Sequence, residues 1–281
     1  MKKLKYFLLT KSVGFYLNCL VFFHSEKAAQ FAYKLFSEPR AGKLKKNELP
    51  EILKNSKMQS FIFEENEFQT YTWLGNENII LLIHGWESNS SRWERLLPYL
   101  KKTSSTIIAI DAPAHGLSNG TEFNVPNYAK AIQNLVKIYN PKVLIGHSIG
   151  GAACIYYQFL NQNPNIEKMV LLGAPSDLQN LIQNYCDMLS LNTKLQSKLE
   201  IVFSNKFNLD TKDFSAKKFA KTIDTRALII HDVADKIVAF SEAEKISGSW
   251  KNKIFIETKN LGHSLHNENL YQKITSFLLE A

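Results

Sequence analysis

A serine between two glycines is the first place in this sequence where residue types and spacing indicate chemistry. Gly146-His147-Ser148-Ile149-Gly150 follows the apolar run 143–145 and precedes a second apolar stretch with helical spacing. This pattern predicts a sharp strand-to-helix turn, in which small neighbours let the chain close and expose the hydroxyl at a helix N-terminus. We interpret Ser148 as a candidate nucleophile. The alternative is a glycine-rich turn in which the serine has no chemical role.

Apolar strands and amphipathic helices alternate on both sides of this turn. Continuous apolar runs, typical of strands buried in a parallel sheet, lie at 78–83, 106–110, 143–145, 166–172, 226–231 and 253–257. Helical spacing of apolar residues is found at 88–100, 124–139, 149–159, 241–246 and 267–279. Alternation of polar and apolar residues predicts an antiparallel hairpin over 59–72. The fold class that follows is α/β, with a mostly parallel, doubly wound sheet of about eight strands and helices on both faces.

One long segment interrupts this alternation. Residues 176–222 contain no strand pattern and predict several short helices, which we interpret as an inserted lid. We therefore divide the chain into an N-terminal helical arm and linker (1–57), an α/β core (58–175 and 223–281) and a helical lid insertion (176–222).

Four separated motifs resemble those of the α/β-hydrolase superfamily, over roughly residues 61–279. His84-Gly85-Trp86 is similar to the family's loop after its third strand, and residues 146–150 resemble its nucleophile turn. Residues 231–238 resemble the loop that carries the acid, and Gly262-His263-Ser264 resembles the loop that presents the histidine. Ser, Asp and His follow in the family's chain order. The resemblance implies an α/β-hydrolase fold and a serine hydrolase.

The resemblance also implies a role for each site residue. Ser148 is the expected nucleophile, His263 the base that takes its proton, and Asp235 the carboxylate that orients the imidazole. The backbone N–H groups of Trp86 and Ile149 are the expected oxyanion donors, and loss of one such donor typically lowers turnover by about 100- to 1000-fold.

Two of these assignments have close rivals in the sequence. Asp232 lies three residues before Asp235, but at a position where the family pattern has glycine. His266 lies three residues after His263 without a preceding glycine. We assign the acid to Asp235 and the base to His263.

Other polar residues near the motifs have structural interpretations that we prefer. We expect His147 to point away from Ser148, His84 to support its own loop, and Asp111 to close a loop by hydrogen bonds. Residues 111–118 resemble a further family loop but depart from it at Ala114 and His115. His115 is left open between a pocket and a surface position.

These residues indicate a serine hydrolase that cleaves a carboxylic ester, or a thioester or amide, through an acyl-enzyme. The alternatives are acyl transfer or other chemistry of this fold on the same residues, and a non-catalytic binding protein. Candidate pocket residues are apolar or aromatic side chains near the motifs and in the insertion: Trp86, Phe123, Tyr185 and Met188.

The composition narrows the classes of function further. The chain has 281 residues and a net charge of +8, but only four arginines, and its lysines are scattered. No nucleic-acid-binding motif is recognisable, so we interpret the excess of positive charge as solvated surface charge. Cys19, Cys154 and Cys186 lie far apart, which disfavours a disulfide framework or a zinc site. We expect no cofactor, no metal ion and no nucleic-acid partner, and a small-molecule ester as substrate; the oligomeric state is left open.

The N-terminal residues leave three interpretations open. Lysines at 2, 3 and 5 precede an apolar stretch to Phe23 that Lys11 interrupts, and no small-residue cleavage site follows. The segment is a helical arm packed on the domain, an interfacial membrane anchor or a signal peptide. We expect a cytoplasmic protein, with weak association of this arm with a membrane surface as an open alternative.

Overall fold

The computed structural model describes residues 2–63 and 65–280. Met1, Glu64 and Ala281 lie outside the described residues. The predicted arm begins at Met1 and the predicted core ends at Ala281, so these two boundaries are not described. Eight strands and eleven helices lie within the described ranges. In chain order they are α1 Lys2–Phe23, α2 Ser25–Ser37, α3 Glu51–Lys54, β1 Lys57–Phe63, β2 Asn66–Trp73, β3 Asn76–Ile83, α4 Leu97–Leu100, β4 Ser105–Ile110, α5 Val125–Tyr139, β5 Val143–His147, α6 Ile149–Asn161, β6 Lys168–Leu172, α7 Leu178–Leu189, α8 Thr193–Phe207, α9 Ala216–Ala220, β7 Arg226–Asp232, α10 Phe240–Ser249, β8 Lys253–Thr258 and α11 Glu268–Leu279.

The eight described strands form one sheet, which confirms the predicted fold class. Their order is β1-β2-β4-β3-β5-β6-β7-β8. The hairpin β1–β2 and the pair β2–β4 are antiparallel, whereas every later neighbour is parallel. Since parallel neighbours share a direction, the loops that follow β3, β5, β6 and β7 meet at the carboxyl edge of the sheet, where α/β proteins place their sites.

Side-chain caps explain where the long helices begin. The Asn124 side chain accepts from the Asn127 N–H before α5, and the Asn267 side chain accepts from the Leu270 N–H before α11. Pro126 lies in the first turn of α5, where a missing N–H costs no intrahelical bond.

The continuous helix predicted over 88–100 is wrong. The structure has a 3-10 turn at Ser90–Trp93 and only the single turn α4. Pro98 lacks the N–H that would bond to the carbonyl of Glu94, so a regular helix cannot continue through this segment. The Ser90 N–H is also used elsewhere, because it donates to Asp111 Oδ1 at 2.9 Å.

The structure groups the chain differently from the predicted division. Residues 2–38 and 177–215 form one compact unit, here called the helical unit, and the remaining described residues form the sheet unit. The predicted arm and insertion therefore share a unit, whereas the linker belongs to the sheet unit. Leu49 and Leu53 explain the latter, because both are buried in the sheet unit's core.

A single apolar core holds the helical unit together. Its buried side chains come from α1, α2, α7 and α8: Leu17, Val21, Ala28, Ala29, Ala32, Tyr33, Ile182, Tyr185, Cys186, Leu189, Leu195, Leu199 and Phe203. Neither chain segment could bury these faces alone, which is why two segments distant in sequence form one unit.

Candidate active site

Ser148 lies at the turn between β5 and α6. Its backbone angles, φ 54° and ψ −128°, fall in a region that L-residues occupy only when the surrounding structure enforces it. The Ser148 N–H donates to the carbonyl of Leu172 in β6 at 2.7 Å, which anchors the strained residue to the sheet.

Three glycines make this turn possible because their neighbours leave no room for a side chain. A Cβ at Gly146 would lie 2.6 Å from Gly151 Cα, and one at Gly150 would lie 2.3 Å from the Ile83 carbonyl oxygen. A Cβ at Gly85 would lie 2.8 Å from Ser148 Cβ. The loop after β3 therefore runs directly beside the serine.

A chain of two hydrogen bonds joins Ser148, His263 and Asp235. His263 Nε2 lies 2.9 Å from Ser148 Oγ, and His263 Nδ1 lies 2.7 Å from Asp235 Oδ2. Since an ionised carboxylate only accepts, the Nδ1 proton faces Asp235, and Nε2 is left to accept the serine proton. The structure thus brings together the three side chains singled out in the sequence.

The loop after β7 holds Asp235 in its charged form. Its Oδ1 accepts from the backbone N–H groups of Ile237 and Val238 at 2.8 and 3.1 Å, and its side chain is completely buried. Burial alone would raise its pKa, but the hydrogen bonds from His263 and these two amides hold the pKa of Asp235 below its ordinary value. Asp235 is therefore an ionised partner for His263 at neutral pH.

Asp232, the rival acid, has different partners. Its Oδ2 accepts from Thr258 Oγ1 at 2.8 Å and from the Leu261 N–H at 2.9 Å, and its Oδ1 accepts from the Ala234 N–H at 3.0 Å. Despite burial, which opposes the charge, these bonds hold the pKa of Asp232 below its ordinary value. This carboxylate joins the loops after β7 and β8 to each other.

His266, the rival base, also points elsewhere, since its Nδ1 lies 2.6 Å from the hydroxyl of Tyr271 in α11. The assignments to Asp235 and His263 are thus the ones whose side chains reach Ser148 through hydrogen bonds.

Two residues that the sequence did not single out for this purpose hold the His263 loop. His147 Nε2 lies 2.8 Å from the carbonyl oxygen of His263, and Arg92 Nη2 donates to the carbonyl of Ser264 at 3.2 Å. Burial, followed by the charge of Arg92, holds the pKa of His147 well below its ordinary value, so the ring is neutral and Nε2 carries the donated proton. The position of His147 beside Ser148 was a signal; for Arg92 the sequence offered none.

Gly173, at the end of β6, leaves room for the acid–base pair. Its φ is 61°, and a Cβ there would lie 3.4 Å from His263 Nδ1 and 3.7 Å from Asp235 Oδ2. A residue with a side chain would be strained at this φ, and its Cβ would be in van der Waals contact with both groups.

The two amides predicted to bind an oxyanion are free to donate. Ile149 is the first residue of α6, where an N–H has no partner inside the helix. Within residues 2–63 and 65–280, neither the Ile149 N–H nor the Trp86 N–H donates to another protein group. Their role at an oxyanion stays a prediction.

The loop after β4 is built from interlocked polar groups, as expected for Asp111 and His84. Asp111 Oδ2 accepts from the Tyr71 hydroxyl at 2.8 Å and from the Leu117 N–H at 2.9 Å. His84 Nε2 accepts from the Ala112 N–H at 2.9 Å, and its Nδ1 donates to the carbonyl of Gly85. The side chains of Asp111 and His84 are both bonded to groups of their own loops and not to Ser148.

His115 is fully buried, which excludes the surface position, whereas a place in the pocket wall stays a prediction. Its ring centroid lies 4.9 Å from that of Phe123 and 5.8 Å from that of Trp86, and the rings of Trp86 and Phe123 lie 5.6 Å apart. Two of the four candidate pocket residues thus share an aromatic cluster beside the Gly85 loop.

The other two candidate pocket residues belong to the helical unit. The Tyr185 hydroxyl donates to the carbonyl of Ala32 at 2.9 Å, and Met188 Sδ accepts from the Tyr6 hydroxyl at 3.4 Å. The four-residue pocket stays a prediction. As for metals, the described ranges hold no group of three or more His, Cys, Asp or Glu side chains that could bind an ion.

Comparison with known proteins completes the description of the site. Residues 78–199 match the family described as the alpha/beta hydrolase fold. Over this segment, which contains Ser148 and the loop after β3, the chain is similar to that family. The match supports the predicted resemblance, and the predicted fold is confirmed.

Similar proteins include hydrolases. The chain is 36% identical to a probable serine hydrolase of Drosophila melanogaster over 85 residues, which cover 28% of this chain and 25% of the fly protein. It is 22% identical over 251 residues to the AB hydrolase superfamily protein YisY of Bacillus subtilis (strain 168), covering 74% and 92%. The structure of mouse alpha/beta hydrolase domain-containing protein 10 has the same fold, with a TM-score of 0.65, 14% identity and coverage of 79% and 97%. The chain spans about a quarter to a half of the length of the serine hydrolase and serine hydrolase-like proteins that it matches.

Proposed function

We propose that this protein is a serine hydrolase that cleaves carboxylic esters through an acyl-enzyme on Ser148. The observation that carries the proposal is the hydrogen-bonded chain from Ser148 Oγ through His263 to the buried Asp235, at 2.9 and 2.7 Å. A serine hydroxyl is a weak nucleophile at neutral pH, and an imidazole within hydrogen-bond reach is the partner that can take its proton as it attacks.

The proposed reaction has two halves that use the same residues. Ser148 Oγ attacks the ester carbonyl while His263 Nε2 takes the hydroxyl proton, and the carbonyl oxygen gains the negative charge. The imidazolium of His263 then gives its proton to the departing alkoxide, which leaves an acyl group on Ser148. Water then attacks the acyl carbon while it loses a proton to His263. The imidazolium returns that proton to Ser148 Oγ as the bond to the acyl carbon breaks, which releases the acid and the free serine.

Two features support the electrostatics of these steps. The ionised Asp235 stabilises the imidazolium that forms in each half. The free N–H groups of Trp86 and Ile149 are the proposed donors to the oxyanion. Ile149 follows Ser148 at a helix N-terminus, and Trp86 follows Gly85, where a Cβ would lie 2.8 Å from Ser148 Cβ.

The aromatic cluster of Trp86, Phe123 and His115 supports an apolar or aromatic group in the substrate. Flat rings packed edge to face offer a rigid apolar wall, and such walls favour acyl or aromatic groups over charged ones. The proposed substrates are therefore esters with an apolar acyl or alcohol part.

Two measurements test the proposal. A fluorophosphonate probe should label the wild-type protein and fail to label Ser148→Ala. In a chain-length series of p-nitrophenyl esters, Ser148→Ala should lower kcat/KM by at least about a thousandfold, because the nucleophile is lost. Any residual cleavage would come from substrate binding and the oxyanion donors, which the variant keeps. Equal labelling of both proteins, or ester cleavage that survives Ser148→Ala, would contradict the assignment of the nucleophile. Urea unfolding of both proteins is the control for folding.

A further inference from the structure

Helix α1 exposes a large share of the protein's apolar surface. Of the twenty large apolar side chains exposed within the described residues, nine lie on this one helix: Leu4, Tyr6, Phe7, Leu8, Leu9, Phe15, Tyr16, Phe22 and Phe23. By length and composition, the 18 residues Tyr6–Phe23 are also sufficient to cross a membrane. Exposed apolar surface of this kind marks a site of interaction.

The opposite side of α1 is fixed inside the helical unit. Leu17 and Val21 are fully buried in its core, and a Cβ at Gly14 would lie 1.7 Å from the carbonyl oxygen of Leu189 in α7. The helix therefore has one face packed against protein and one largely exposed face, which is the geometry of a helix lying along a surface.

Two polar side chains of this stretch, Lys11 and Asn18, bond to the end of α7 and the residue after it. Lys11, the one charged residue between positions 6 and 23, donates from Nζ to the carbonyls of Asp187 and Met188 at 3.3 and 3.0 Å. These carbonyls end α7, where the helix dipole favours a cation. Asn18 Nδ2 donates to the carbonyl of Ser190 at 2.8 Å. The exposed side chains of the stretch are apolar or aromatic apart from Ser12 and Cys19.

The charge around α1 has one sign. The first 25 residues contain four lysines and no Asp or Glu, and three of those lysines lie within the first five residues. Basic residues at the start of an apolar helix are attracted to anionic lipid headgroups. Exposed Phe and Tyr side chains suit the boundary between headgroups and acyl chains.

We propose that the outward face of α1 docks the protein on an anionic lipid bilayer, with the helix lying in the plane of the membrane interface. Binding combines insertion of Phe15, Phe22 and Phe23 with attraction between the lysines and the headgroups. The packed face keeps α1 on the surface, because crossing the bilayer would expose the Lys11 charge and separate Leu17 from its core.

The test measures co-sedimentation of the full-length protein with vesicles of phosphatidylcholine, with and without phosphatidylglycerol. Anionic vesicles should bind about tenfold more tightly than neutral ones, and the difference should shrink as salt rises from about 0.05 to 0.5 M. The double variant Phe15→Asp/Phe23→Asp should weaken binding to anionic vesicles by about tenfold or more, because both side chains are on the exposed side of α1.

The chain offers a matched control. Ile62 and Leu74 are 81% and 80% exposed, against 72% for Phe15 and 81% for Phe23. Ile62→Asp/Leu74→Asp makes the same change of charge in the sheet unit and should leave lipid binding unchanged. Both double variants should melt at nearly the same temperature as wild type, since exposed substitutions have small effects on stability. Both should also cleave soluble esters at a rate within about twofold of wild type.

Several results would overturn the proposal. One is wild-type protein that stays in solution with anionic vesicles, or Asp variants of α1 that bind as wild type does. Retention on membranes after an alkaline carbonate wash would assign α1 to a spanning helix. If mass spectrometry shows that the protein isolated from cells lacks α1, the helix is a removed signal. A dimer in lipid-free solution that only the α1 variant abolishes would assign the face to a second copy of the chain.

Discussion

Asp232 ends β7 and Asp235 lies three residues later in the loop that follows, yet their carboxylates have different partners. Asp235 reaches His263, whereas Asp232 holds the backbone of Leu261 and the side chain of Thr258. Both are buried carboxylates with several hydrogen bonds, so burial and charge alone do not distinguish them. What separates them is the atom each one contacts, and this predicts separate consequences for their replacement.

Asp235→Asn should lower kcat by about a thousandfold or more while leaving stability nearly unchanged, because the amide no longer favours the tautomer with a proton on Nδ1. Asp232→Asn should instead lower the free energy of unfolding by about 1–3 kcal/mol, because one of its acceptor oxygens is replaced by a donor facing N–H groups. Steady-state kinetics and urea unfolding measure both. Full activity of Asp235→Asn would contradict these roles. So would equal losses of kcat and of unfolding free energy in the two variants.

His147 is predicted to position His263 through its backbone rather than to take part in the chemistry. His147→Phe keeps a ring but loses the hydrogen bond to the His263 carbonyl, and should lower kcat about tenfold with little change in KM. Glutamine can place a side-chain N–H near the position of Nε2, so His147→Gln should recover most of that loss. The midpoint of the kcat/KM pH profile should be the same in all three proteins. A shifted midpoint, or a Gln variant as slow as the Phe variant, would argue against a positioning role.

At the scale of elements, the tight approach of α6 to β5 depends on glycine. Gly146→Ala places a Cβ 2.6 Å from Gly151 Cα and should lower the free energy of unfolding by about 1–3 kcal/mol through overpacking. Gly248 in α10 is the matched control, because a Cβ there meets nothing within 4 Å. Gly248→Ala should raise the free energy of unfolding by about 0.5–1 kcal/mol, since alanine favours a helix. Equal effects in urea unfolding would mean that the turn tolerates a side chain.

The elements also show how far sequence reasoning extends. The parallel strands and the long helices follow from local apolar patterns, and Ser148, Asp235 and His263 from motifs at strand ends. The prediction of a helix over 88–100 was wrong because it used apolar spacing alone. Pro98 has no N–H for the hydrogen-bond ladder, and the Ser90 N–H donates to Asp111.

The helical unit and the support of His263 required the structure. Pairing of Leu17 with residues of α7 and α8 joins segments more than 150 residues apart, and no local pattern encodes such a partner. The same holds for Arg92, whose contact with the Ser264 carbonyl joins two distant loops.

At the scale of the whole molecule, buried histidines couple stability to pH. Burial is the main cause that holds the pKa of His84 and His147 well below the ordinary value, and it lowers the pKa of His115 as well. The unfolded chain takes up protons at these sites below about pH 6.5, whereas the folded chain does not. Their contribution to stability is therefore present at neutral pH and is lost as pH falls below about 6.5.

Urea unfolding between pH 7.5 and 5 should show this loss, with a slope of up to about 1.4 kcal/mol per pH unit for each buried histidine. His147→Gln removes one of these groups and should give a shallower slope than wild type. Parallel slopes for the two proteins would show that His147 takes up no proton on unfolding in this range.

The helical unit is discontinuous in the chain, and this has a consequence for biosynthesis. Helices α1 and α2 lie within the first 38 residues, whereas their partners α7 and α8 begin at Leu178. At about 5–20 residues per second, a ribosome would add the intervening chain in roughly 7–30 s. Throughout that interval Leu17, Val21 and Tyr33 have no core to enter. The nascent chain therefore offers an apolar pair of helices to chaperones and membranes before the protein can cover it.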